Sequence, residues 1–330
     1  MSETNPVHTL LQITGGYALS RCLHVVADLG VADALGDTPR TAAELAAAVG
    51  VDPAALGRIL RLLAAHDVFA IQGDTICHTE ASQILRSNHP HSLRAFIRVF
   101  GGAVNWSIYE ALDHAVRTGR PATEKVLPGG LWAYRREHPD EGSMFNAAMT
   151  ARARRYVAGV RAAYDFSGFD LVGDIGGGLG HLLLAVLDSA PTVKGVLFDL
   201  PPVISEASGL ASERLQLQAG DFFTDPLPVC DAYLAMQVIH DWGDEDAVAI
   251  LRAIRRVAPT HAKLLIIEHL IPDDPGPHWS KILDIHMLTL LGGRERTRQE
   301  YAALLAQAGF AFAREIATGS DVVILEAVLV

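Results

Sequence analysis

Between residues 171 and 268, short aliphatic runs alternate with helix-like stretches, and this alternation limits the chain more than any other feature. The strand-like runs are 171–175, 193–198, 215–219, 232–236 and 263–268. Helical runs follow the first two, ending near Ser189 in the first case, and another spans 244–257. A strand, a helix and a second strand in repeated succession predict parallel pairing with helices on both faces of the sheet. The fold class is therefore α/β, Rossmann-like, with a mostly parallel sheet. Two later runs, 311–316 and 322–328, read as an antiparallel hairpin at a sheet edge. In such a sheet, ligands bind at the carboxyl ends of the strands.

Three strand ends carry ligand-type residues. The first runs into Asp174-Ile175-Gly176-Gly177-Gly178-Leu179-Gly180. Glycines there let a ligand approach backbone amides at a helix start. A dinucleotide GxGxxG fingerprint starting at Gly176 would need glycine at position 181, which is His181. The second strand ends at Asp199, where a carboxylate can accept from both hydroxyls of a ribose. The third ends in Gly220-Asp221-Phe222-Phe223. Asp221 can accept from an adenine amino group, and Phe222 can pack on the ring. A lone aspartate at a strand end is also an ordinary cap or turn residue, but three in order are harder to produce by chance.

With these segments, Ile-His-Asp-Trp-Gly-Asp-Glu-Asp at 239–246 and Gly-Gly-Arg-Glu-Arg-Thr at 292–297 make residues 171–310 resemble the class I methyltransferases. The likeness is to the small-molecule O-methyltransferases of the plant caffeate and bacterial polyketide type. It implies that S-adenosylmethionine (SAM) binds at the glycine loop and leaves as S-adenosylhomocysteine. The implied cofactor contacts are Asp174, Gly176, Gly178, Asp199, Gly220, Asp221, Phe222, Met236 and Gln237. In many relatives a lysine stands where this chain has Met236, and a serine where it has Ala153. Some relatives bind SAM yet hydroxylate or decarboxylate polyketides, so the resemblance alone leaves a non-methylating reading open.

Methyl transfer is an in-line displacement, and much of its barrier falls when the two reactants are held aligned. A phenol, with a pKa near 10, is a poor nucleophile until a base takes its proton. His240 follows the fourth strand at the ligand edge and offers a neutral imidazole for that task. One histidine among fourteen is by itself a packing or surface residue; its motif, by resemblance, makes it the base. The same resemblance assigns Glu268 and Glu295 to orient the imidazole, fixing its tautomer and stabilising the imidazolium. Thr297 with Glu300 has capping-box spacing and starts a helix just after Glu295. The paired aspartates of metal-dependent catechol methyltransferases are missing, so no metal is expected.

The N-terminal third reads differently. Residues 7–35 carry a wide apolar stripe at helical spacing, broader than a small domain needs, and suited to a second subunit. Thr41 and Glu44 form a capping box, Gly50 ends that helix, and Asp52-Pro53 opens the next. Strands at 68–71 and 75–78 complete a winged-helix pattern. Such domains often bind DNA. Residues 1–100, however, hold seven arginines and no lysine against nine acids, and the whole chain carries a net charge of −11. Phosphate contacts need several cations on one face, so nucleic acid is not an expected partner. The resemblance makes this domain a homodimerisation module.

The organisation expected is a mainly α winged-helix dimerisation domain (1–100), a helical linker contributing to the substrate pocket (101–165), and the SAM-binding catalytic domain (166–330). Trp106, Phe145, Met149, Asp284 and Met287 are candidates, by position and resemblance, for contact with a small aromatic substrate. Half the chain is hydrophobic, yet no run of about 18 apolar residues occurs, and no signal peptide is evident. Three scattered cysteines fit a reducing compartment. A cytoplasmic enzyme without membrane contact is expected.

Overall fold

The computed structural model describes residues 5–330. They divide into two compact units: the chain up to Ser107 together with Arg135–Arg152, and Ile108–Tyr134 together with Ala153–Val330. The segment 101–165 is thus shared between the two.

In the first unit, Pro6–Leu29 is a single helix that Asn5 caps by accepting from the Val7 amide. Gly30, at φ 70°, ends it and opens the short helix Val31–Leu35. The stripe at 7–35 is therefore interrupted where only glycine turns left-handed without strain. The Thr41/Glu44 capping box forms as expected, Gly50 caps Ala42–Val49, and Asp52 caps Pro53–Ala64. Three antiparallel strands, β1 (Arg40–Thr41), β2 (Phe69–Gln72) and β3 (Thr75–His78), lie in the order β1-β3-β2. Val26, Leu35, Leu45, Leu60, Leu63 and Phe69 form the buried centre of this winged-helix unit. Val7, Leu10, Leu11, Ile13 and Tyr17 of the first helix are left exposed.

The second unit holds a seven-stranded sheet: β4 (Leu171–Ile175), β5 (Lys194–Asp199), β6 (Leu215–Ala219), β7 (Ala232–Met236), β8 (Lys263–Glu268), β9 (Phe310–Ala317) and β10 (Val323–Leu329). The order is β6-β5-β4-β7-β8-β10-β9; the first five strands are parallel and the β9–β10 hairpin is antiparallel at one edge. The α/β expectation holds. Alternate residues of each strand face opposite sides. Leu264 and Ile266 pack with Tyr233 and Ala235 on one face, while Leu265 and Ile267 pack with Ala232 and Leu234 on the other. A strand buried on both faces reads as one unbroken apolar run, which is why these strands stand out in the sequence. The order reverses between β4 and β7, so the crevice at their carboxyl ends is the natural ligand position. Among the described residues, no helix is long and apolar enough to cross a membrane.

Candidate active site

The carboxyl end of β4 enters the glycine turn, with Gly176, Gly178 and Gly180 at φ 70°, 59° and 71°. A side chain at Gly177 would strike Leu197 and Asp174, whereas one at Gly178 would enter open space. The turn is packed below and open above. Asp199, at the end of β5, folds back over it: one carboxylate oxygen accepts from the Gly178 amide at 2.8 Å and the other from Leu200 at 2.7 Å. Burial raises the Asp199 pKa despite these bonds, so its charge gains from further donors. Asp174 lies beneath the turn, almost wholly buried, and neither oxygen has a hydrogen-bond partner among the described residues. Burial, aided by the Asp199 charge, pushes its pKa up to about 7. Two under-supplied carboxylates around an open amide turn fit a nucleotide-like ligand carrying hydroxyl and ammonium donors.

Gly220 ends β6 where a side chain would meet the Phe198 ring. Asp221 accepts from the Phe223 amide at 2.9 Å, as a turn residue does. The Phe222 ring packs edge-on against Phe223 and against Trp242, with centroids 4.9 and 5.7 Å away. The strand end assigned to adenine is thereby tied to the turn that carries the histidine.

That turn begins after Met236. Gln237 takes the left-handed conformation at φ 56°, rare outside glycine. A short 3-10 segment, Ile239–Asp241, leads into the helix Asp244–Val257, whose first turn is acidic and whose last is basic, both favoured by the helix dipole. His240 is buried. Its Nδ1 lies 2.6 Å from Glu295 Oε1, while Nε2 lies 3.4 Å from Asp241 Oδ1. Burial works against an imidazolium here, but the charges of Glu268, Glu295 and Asp241 outweigh it and push the His240 pKa up to about 10.

The two glutamates do different work. Resemblance placed both on the ring, but Glu268 Oε2 is 3.7 Å from Nδ1, beyond hydrogen-bond range. Instead Glu268, at the end of β8 and fully buried, accepts through Oε1 from the amides of Val238, Ile239 and His240 at 3.1, 2.9 and 3.3 Å. Its Oε2 takes the Gln237 side-chain amide at 2.7 Å. Its carboxylate sits in a nest of successive N–H groups, so it holds the turn through its backbone and acts on the ring by charge, within ion-pair range, rather than by a hydrogen bond. Ligand-type atoms of His240, Glu268 and Glu295 lie within 4.8 Å of one another. Most of them are already spent on hydrogen bonds, and Glu295 Oε2 is buried with no hydrogen-bond partner among the described residues.

The substrate candidates divide between the units. Trp106, Phe145 and Met149 belong to the first, Asp284 and Met287 to the second. The Trp106 indole donates to the Gly101 carbonyl at 3.0 Å, and the Arg135 guanidinium covers the Phe145 ring. Asp284 accepts from the Glu295 amide at 2.9 Å, so it supports the residue bonded to the His240 ring. Met287 is buried in the helix Trp279–Leu290. Residue-type reasoning missed Arg296, a fully buried cation beside Glu295, and Asp244, its partner at 2.8 Å. Both stand in the quoted motifs; arginine in a loop simply reads as solvated.

A parallel sheet that gathers an open amide turn and a carboxylate-held histidine at one edge is a scaffold for group transfer from a nucleotide-like donor. Comparison with known proteins narrows this. Residues 109–311 match the O-methyltransferase domain family and residues 11–87 the O-methyltransferase dimerisation domain. A phenazine O-methyltransferase of Lysobacter antibioticus is 38% identical over 324 residues, covering 96% of this chain and 95% of that protein. A solved methyltransferase of calicheamicin biosynthesis, bound to S-adenosylhomocysteine, superposes with a TM-score of 0.89 at 34% identity, covering 99% of this chain and 100% of the other. A solved O-methyltransferase of neocarzinostatin biosynthesis, bound to S-adenosylhomocysteine and 1,4-dihydroxy-2-naphthoic acid, has a TM-score of 0.76 at 32% identity, covering 94% and 96%. The chain belongs to the SAM-dependent O-methyltransferases with an N-terminal dimerisation domain, and its relatives include enzymes of bacterial secondary metabolism.

Proposed function

We propose that the protein methylates a hydroxyl of a small aromatic secondary metabolite, with His240 as general base, and that it works as a homodimer. SAM held over the glycine turn supplies the methyl carbon on a sulfonium. Asp199 suits its ribose hydroxyls, the Asp221–Phe222 strand end its adenine, and Asp174 a cationic group near the turn. Met236 and Gln237 end the neighbouring strand on the same edge. His240 carries the reading: Glu295 holds Nδ1 at 2.6 Å, which fixes the tautomer and directs Nε2 to the acceptor's proton. Burial weakens the imidazole as a base, but the charges of Glu268, Glu295 and Asp241 outweigh it, and a more basic ring takes a phenol's proton more readily. Glu295 would then stabilise the imidazolium as the acceptor oxygen bonds to the methyl carbon and the carbon–sulfur bond of bound SAM breaks, S-adenosylhomocysteine leaving. Glu268 keeps the turn in register. Polycyclic aromatic acceptors are favoured because the relatives named above act on, or bind, phenazine and naphthoic acid skeletons.

The test is mass spectrometry after incubation with methyl-deuterated SAM and a panel of phenols, phenazines, hydroxynaphthoates and anthracyclinones. A labelled methyl on an acceptor oxygen supports the reading. An acceptor altered without the label would overturn it in favour of non-methylating chemistry.

A further inference from the structure

Arg296 is fully buried, and its guanidinium is spent on a specific set of acceptors. Nε and Nη2 reach Asp244 Oδ1 at 3.0 and 2.8 Å. Nη1 donates to the carbonyls of Ile239 and Arg294 at 3.2 and 3.3 Å, and Nη2 to that of Trp242 at 2.8 Å. Two of these carbonyls flank His240 in the chain, and the third immediately precedes Glu295. The two segments are also joined directly, since the Arg294 amide donates to the His240 carbonyl at 2.8 Å. Gly293 lies so close to that carbonyl that no side chain fits. A buried cation is costly to take out of water, and apolar residues could anchor a loop without that cost. What they could not supply is a planar fork that grips three carbonyls and a carboxylate at once. Asp244 completes the device from the first turn of its helix, where the dipole favours an anion.

We propose that Arg296 and Asp244 form a positioning clamp that locks the turn carrying His240 to the loop carrying Glu295 and so sets the contact between imidazole and carboxylate. The proposal builds on the reading of His240 as the base. The clamp acts through His240 and touches no reactant. Its motive is geometric: a displacement of about 1 Å in such a contact is worth about a hundredfold in rate.

The experiment follows the His240 ring itself. Enzyme labelled with 15N-histidine is titrated by NMR, the His240 signals being assigned by their loss in His240→Gln. Asp244 is half exposed, so Asp244→Ala is the main variant and Arg296→Lys the second. Both are expected to move the His240 midpoint to lower pH by about one unit, a tenfold change in the proton equilibrium, because Glu295 no longer sits squarely on the ring. Asp244→Asn, which keeps an acceptor in place, is expected to recover most of the shift. SAM affinity by calorimetry is expected to stay unchanged. An unchanged midpoint in Asp244→Ala, whatever happens to its melting temperature, would overturn the clamp. Wild-type turnover in His240→Gln would instead remove the base, while the titration still reports on the clamp.

Discussion

Glu295 and His240, fifty-five positions apart in the chain, meet at 2.6 Å through Oε1 and Nδ1. Glu295 is itself held, its amide donating to Asp284 from the helix Trp279–Leu290. The imidazole is thus the end of a relay of supports reaching from the sheet edge into a helix, with Glu268 beneath its backbone. Such layered support is what keeps a catalytic group within the narrow geometry that transfer demands.

His240→Ala is expected to lower methyl transfer by at least about a hundredfold, the usual effect of removing a general base. SAM binding should survive, because the glycine turn and Asp199 lie on other strands. Steady-state rates with the acceptor found by mass spectrometry, beside calorimetry with SAM, check this. Near-normal turnover would end the base assignment.

The pH profile follows from the charges around the imidazole. On the proposed mechanism the neutral ring is the active form, and the charges of Glu268, Glu295 and Asp241 outweigh burial to raise its pKa to about 10. Turnover per bound acceptor should therefore climb as pH rises from neutrality. Glu295→Gln removes one raising charge, so the climb should move to lower pH by roughly one to three units, the span of an adjacent opposite charge. The plateau should fall as well, because a less basic imidazole is a weaker acceptor. Superimposable profiles would mean that Glu295 does not act on the ring's charge.

Asp199→Ala should weaken SAM binding by about ten- to a hundredfold, from about 1.5–3 kcal/mol for a charged hydrogen-bond acceptor. The same substitution removes an acceptor from the Gly178 amide, so the turn should loosen. Calorimetry gives the affinity, and an unchanged value would take Asp199 out of the site.

Much of this was legible in the sequence, and the reason is physical. Strands β4, β7 and β8 fall at the expected positions because buried parallel strands are largely apolar, and the edge strand β6 because its Leu-Gln alternation marks one buried face. Capping signals at Thr41, Asp52 and Thr297 act locally, so they read correctly as well. What could not be read was the use of a charge at a distance. Glu268 reads as a partner for the ring, but that the left-handed Gln237 also turns three amides toward it is not visible in the sequence. Arg296 looks solvated until its loop is seen folded against His240. Each depends on long-range packing that no local pattern encodes.

The helix Pro6–Leu29 leaves Leu10, Leu11 and Ile13 exposed by 66%, 64% and 71%, within and beside the matched dimerisation segment. Apolar side chains in a contiguous exposed patch signal a protein interface. Light scattering at micromolar concentration should give the mass of a dimer, and Leu11→Asp should shift it toward the monomer. A monomeric wild-type protein would contradict the homodimer.

Asp174 gives the clearest stability prediction. Its carboxyl is held up to about 7 in the fold, by burial first and the Asp199 charge second, against an ordinary value of 3.8. Between those two values the folded state binds more proton than the unfolded state, so stability must fall as pH rises. The favourable contribution is complete below about pH 4 and gone above about pH 7. Asp174→Asn cannot ionise and should lack this component. In thermal unfolding of the free enzyme, the variant should gain on the wild type from about pH 4 to about pH 7 and then hold a constant difference to pH 8. A constant difference already from about pH 4 would mean that Asp174 is ionised in the fold at all these values, held by donors that the orphaned carboxylate does not show.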